Sequence, residues 1–188
     1  MKLVGFQVPV GKLVQPGDCL LYKSGGLIGW IIKVKTWHAI SHCESYIGGG
    51  RSVASRGPQD GKGGVGTWTL RTEGLAHIMR LREGFNCQNA LAWFATVSGE
   101  KYDVWGLFRF FTIGRGAQDR MFCSEFLTSW YRAGGLEQFQ PDEDADLIAP
   151  CQFLISPVFD HYTVTEQGGD LVVSPAGVVV DVVVQEGK

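Results

Sequence analysis

The hydrophobic pattern of the chain changes period near residue 85, which restricts it to folds built from strands first and helices second. Before that point the apolar residues come in short runs separated by turn formers. Residues 15–18, QPGD, read as a turn, and CLLYK after them as a short strand. AISHCESYIGGGRSVASR has the pattern of a β-hairpin: its first arm ends at Ile47, three glycines reverse the chain, and SVAS returns. AHIMRLR is a further strand. One helix interrupts the series, because SGGLIGWIIKVKTW spaces Leu27, Ile28, Ile31, Ile32 and Val34 at helical intervals after a glycine hinge. The polar, Gly-rich stretch 56–68 is expected as a long loop.

After the change the period is helical. NCQNALAWFATVSG is an amphipathic helix ending at Gly99, and KYDVWGLFRFFTIGRG is strongly aromatic and expected to be partly helical. CSEFLTSWYRAGG sets Phe126, Leu127, Trp130 and Tyr131 on one face, with Gly134 as its stop. From LIAPCQFLISPVFDHY onward β-like runs return, LVVS and GVVVDVVVQ among them. The pattern predicts an α+β domain spanning 1–188, with 161–188 as an additional C-terminal β tail forming an added hairpin on the sheet.

Composition narrows the function classes. Hydrophobic residues make up 45% of the 188 and charged ones 19%, enough for a sizeable core. The net charge of −2 gives no basic excess of the kind nucleic acid or an anionic membrane requires. No run approaches the roughly 18–20 apolar residues of a membrane span. The first residues lack the continuous apolar stretch of a secretory signal, so the expected place is the cytoplasm, or a larger particle, or the medium after lysis. Five cysteines, an odd number without CxxC spacing, argue against a disulfide framework or a zinc site, and no cofactor is expected.

Two cysteines, Cys87 and Cys123, lie near helix starts, so placement alone does not set one apart. Cys123 opens a helix, where unsatisfied N–H groups and the helix dipole favour a thiolate. A thiolate nucleophile needs a base, and of the four histidines His42 is the best placed: it opens a strand, with Glu44 on its own face. The plain alternatives are a core cysteine and a solvent-facing histidine.

The segments PGDCLLYK, SHCESYIGGGRSVASR, GEKYDVWGL and RMFCSEFLTSWYRAGG, in this order, resemble the circularly permuted NlpC-type papain-like proteins. That group includes the YiiX-like proteins and is related to lecithin retinol acyltransferase. The resemblance runs from about Gly17 to Gly135, and the Ser-Pro segment near 156 extends it to about 160. It implies an antiparallel sheet packed against helices, with Cys123 as nucleophile and His42 as base. Tyr102, from the YD segment, is implied at the site as an oxyanion or substrate contact. Many members carry a third polar residue on the return arm of the hairpin. This chain departs from them, having Ala54 at that place, so Glu44 and Ser55 are the two candidates to orient His42. The implied function is a cysteine peptidase or amidase acting on a peptide-like substrate such as a cell-wall peptide. A thioesterase or lipid deacylase of the same fold, or an inactive phage or prophage binding module, is the alternative.

Overall fold

The computed structural model describes residues 13–59, 62–82, 84–103, 120–141, 143–167 and 170–175. The sequence expectations for 104–119 and for GVVVDVVVQ fall outside them. Seven strands form one antiparallel sheet in the order β4-β3-β2-β1-β5-β8-β9. They are β1 (Cys19–Tyr22), β2 (His42–Gly48), β3 (Arg51–Gln59), β4 (Lys62–Thr69), β5 (Leu75–Leu81), β8 (Phe159–Gln167) and β9 (Asp170–Pro175). Helices α1 (Gly26–Thr36), α2 (Cys87–Val97) and α3 (Cys123–Ala133) complete the α+β architecture, with a two-residue parallel ladder between β6 (Lys101–Tyr102) and β7 (Arg120–Met121).

Burial on both faces explains why CLLY reads as a continuous apolar run at the centre of the sheet. Cys19 and Leu21 point to the core shared with α2 and α3, where Phe126, Leu127, Trp130 and Tyr131 are fully buried. Leu20 and Tyr22 point to a second cluster with Tyr46, Ile78 and Val164. Tyr131 ties α3 to the QPGD turn, its hydroxyl donating to the Gly17 carbonyl at 2.8 Å. Within that turn the Asp18 carboxylate accepts from the Gln15 N–H at 2.8 Å.

Two expectations are revised. Residues 56–68 are no loop: most of them belong to β3 and β4, which pair from Arg51↔Thr69 to Gln59↔Lys62. Five glycines in that stretch hide the strand, because they carry no side chain for a pattern to register. Gly64, at φ +120°, lets its backbone approach the Glu100 carbonyl; a Cβ there would lie 2.2 Å from that oxygen. The close approach brings Val65 N–H to Glu100 O at 2.8 Å and so fixes the segment leading to Tyr102. The expected β tail begins earlier than residue 161, as β8 starts at Phe159 and joins β5 within the main sheet. β9 then adds the outer arm of the expected hairpin.

The indole of Trp130 packs among Phe85, Phe94 and Phe126 at centroid distances of 5.7, 6.3 and 6.5 Å. Its N–H is buried without an acceptor among the described residues. Trp130→Ala is expected to lower the unfolding free energy by about 3–5 kcal/mol, the usual cost of removing a buried aromatic. Trp130→Phe keeps the packing and discards an unsatisfied donor, so its cost is expected below about 2 kcal/mol. Urea titration of the three proteins checks the order.

Candidate active site

The site forms where β2 meets the N-terminus of α3. Cys123 is the first residue of that helix and only 1% exposed. The helix end is closed by Glu125, whose carboxylate accepts from the Phe122 N–H at 3.3 Å. Burial, only partly offset by that bond, raises the Glu125 pKa to about 7, with Asp146, Asp103 and Glu100 adding to the rise. Because burial disfavours its charged form, Glu125 competes less with the sulfur for the positive end of the dipole.

Cys123 meets β2 through two successive residues. Cys43 shares the helix-side core with it, and the interaction between the two thiols does most to hold the Cys123 thiol well below its ordinary pKa of 9.0. Burial opposes the shift, while hydrogen bonding to and charge on His42 add to it. Cys43 moves the other way: burial, then its bond to Cys123, keeps it protonated. The two thiols are thus shifted in opposite directions, Cys123 toward the thiolate and Cys43 toward the thiol.

His42 opens β2 and is 7% exposed. Burial alone would lower its pKa, yet the bonds to Cys123 and Glu44 raise it above 6.5. Its Nε2 lies 3.0 Å from Glu44 Oε1, which leaves Nδ1 as the ring nitrogen available to the thiol. Glu44 is fully buried. Its carboxylate accepts from Ser52 Oγ at 2.5 Å and from Arg56 Nε and Nη2, both at 2.9 Å. Although burial works against ionisation, His42 and then Arg56 bring its pKa down to about 2.

Of the two candidates to orient the imidazole, Glu44 contacts it and Ser55 does not. Ser55 donates instead to the Met121 carbonyl at 2.5 Å. Strand alternation explains the difference, since the register Ser45↔Val53 and Tyr46↔Ser52 puts Ser52, Ala54 and Arg56 on the face of His42 and Glu44, and Ser55 on the opposite one. Tyr102 is buried and hydrogen-bonded to Cys123, and burial pushes its hydroxyl well above 10.0, so it stays a donor. Sequence reasoning missed Cys43, Ser52, Arg56 and Arg71. The period of two along the hairpin carries the signal for Ser52 and Arg56; nothing local marks Cys43 or Arg71.

A groove of about 640 Å³ runs past the site, lined by His42, Tyr102, Ser24, Ser41, Arg56 and Arg71 among others. Cys123 borders a separate small apolar recess with Ile31, Ile32 and Ile148. His42 and Tyr102, which both interact with Cys123, line the groove. Against known proteins, no family model and no curated sequence matches the chain. Among the described residues no group of three or more His, Cys, Asp or Glu is arranged to hold a metal ion, and no helix is long and apolar enough to cross a membrane.

The depressed pKa of Glu44 sets a pH window. A carboxyl that titrates at about 2 when folded and at an ordinary 4.5 when unfolded stabilises the fold above 4.5, and that contribution disappears as the pH falls through 4.5 toward 2. Glu44→Gln is expected to flatten the stability profile over this interval, as read from thermal midpoints. The same substitution removes the charge that supports the imidazolium, so the pH midpoint for alkylation of Cys123 is expected to move upward. An unmoved midpoint would separate Glu44 from the thiolate.

Proposed function

We propose that the chain is a cysteine hydrolase of the circularly permuted papain-like type, cleaving an amide bond in a peptide-like substrate such as a cell-wall peptide. The observation that carries this reading is the chain of contacts from the Cys123 sulfur to His42 to the buried carboxylate of Glu44. Nucleophile, base and orienting acid stand in the order such chemistry requires. The order of elements, with a β-hairpin supplying the base before a helix supplies the nucleophile, agrees with the sequence resemblance.

The reaction begins with attack of the Cys123 thiolate on the substrate carbonyl carbon. The carbonyl π electrons move to oxygen, and the oxyanion is met by the Cys123 backbone N–H at the helix end and by the Tyr102 hydroxyl. Collapse of the intermediate breaks the C–N bond, and the His42 imidazolium gives its proton to the departing amine. The product is a thioester on Cys123. Neutral His42 then takes a proton from water, the resulting hydroxide adds to the thioester carbonyl, and C–S cleavage releases the acid and restores the thiolate–imidazolium pair.

A second reading keeps the chemistry and replaces the amide with an acyl ester or thioester of a lipid. The exposed stripe on α1 favours it: Leu27, Trp30 and Val34 lie on one face, with Trp37, 93% exposed, just beyond, and Leu27 also lines the groove.

Cys123→Ala is expected to abolish selective labelling by iodoacetamide near pH 6, where Cys87 and Cys151, both raised in pKa by burial, stay protonated. Hydrolysis should fall by at least about a thousandfold. Equal labelling of mutant and wild type would sink the catalytic reading. Comparing cell-wall peptides with acyl-thioesters separates the two substrate classes.

A further inference from the structure

The groove beside His42 is lined by two guanidinium groups and, among its described lining residues, by no Asp or Glu. The nearest carboxylate, Glu44, already accepts from Arg56 through a two-pronged contact and from His42. With the His42 imidazolium matched by the Cys123 thiolate, Glu44 is left against two arginines, so one positive charge remains at the groove wall.

Arg71 carries most of that surplus. Among the described residues its Nε, 3.5 Å from Glu44 Oε1, has no hydrogen-bond acceptor, and its Nη2 donates to the neutral Ser24 hydroxyl at 3.3 Å. The guanidinium lies over the Tyr22 ring at 4.5 Å, which fixes its plane. Arg56 is steadied in the same way by Trp68 at 4.8 Å. The held, planar guanidinium of Arg71 suits an anion with two oxygens better than a mobile lysine would, and Arg56, its fork already given to Glu44, adds charge beside it. The start of α1 lines the same groove with Gly25 and Gly26; it lacks a side-chain cap and has no acid in its first turn.

We infer that Arg71, with Arg56 beside it, forms a subsite for a carboxylate carried by the acyl substrate, close to the bond that is cleaved. This inference rests on the catalytic reading above, since it places the anion relative to Cys123 and His42. It narrows the substrate class to acidic peptide-like molecules. A groove of this volume matches a ligand of a few residues.

Paired alkylating reagents test it. Iodoacetate and iodoacetamide attack through the same carbon, lose the same iodide and require the same thiolate, but only iodoacetate carries a carboxylate. Their rate ratio therefore cancels any change in the amount of thiolate. In the wild-type protein the ratio of iodoacetate to iodoacetamide at Cys123 is expected to exceed that of a free small thiol by about tenfold, the order of one hydrogen bond between charged groups. Arg71→Gln is expected to remove most of this excess, and Arg71→Lys, which keeps the charge without the fork, to retain part of it. A wild-type ratio no higher than that of the free thiol overturns the subsite, as does an Arg71→Gln ratio equal to wild type while iodoacetamide still labels Cys123; in both cases the catalytic reading stands. Failure of iodoacetamide to single out Cys123 removes the catalytic reading and the subsite with it.

Discussion

A fully buried, ionised carboxylate is the constraint around which this protein is arranged. Removing a charge from water is costly unless partners replace the lost hydration. Glu44 has such partners on every side: the Ser52 hydroxyl, two nitrogens of Arg56 and the imidazole of His42. Each partner comes from a different point on the β2–β3 hairpin. Registry of the hairpin and ionisation of Glu44 therefore support one another, because a one-residue slip would turn Ser52 and Arg56 to the opposite face and strand the charge.

From this anchor the polarity passes outward. His42 and then Arg56 keep Glu44 ionised, Glu44 in turn helps keep a proton on His42, and His42 helps keep the proton off Cys123. Cys43 adds a contribution from the other face of β2. Its thiol sits in the helix-side core, where burial pushes its pKa up while that of Cys123 is shifted down. Adjacent residues of one strand point to opposite faces, and here both meet the same sulfur, one at the strand end and one from within the core.

Much of the fold was legible because its elements follow simple periods. The hairpin at 42–56, the helix beginning at Cys123 and the α2 helix capped by Asn86 each show in the spacing of apolar residues and in their end signals. The strands at 56–68 did not show, since Gly57, Gly63, Gly64 and Gly66 give no alternation; pairing with Arg51–Arg56 and the close approach of Glu100 decide their conformation. In the site, Cys123 and His42 were candidates by their local settings, but the ordered segments of the resemblance singled them out, with Glu44 as one of two orienting candidates. Arg71 lies outside any strand, and it enters the site only because the chain crosses from β4 at the sheet edge to β5, the neighbour of β1, and carries Arg71 to Tyr22 and Ser24 on the way. No local pattern encodes such a meeting.

The absence of an acid from the return arm looks like a defect only while the strands are read separately. Continuing the register of Tyr46↔Ser52 puts Ala54 beside Glu44 on the same face. A methyl group there leaves the space between β2 and β3 open, so that the Glu44 carboxylate can be reached from Ser52 on one side and Arg56 on the other. Residues two apart on a strand are separated by about 6.6–6.8 Å along the backbone, and the combined reach of a glutamate and an imidazole closes that to 3.0 Å. The orienting acid thus lies on the strand of the base itself. Its geometry toward His42 is set within three residues, while the return arm is freed to carry Arg56, the cation that a buried acid at this place requires.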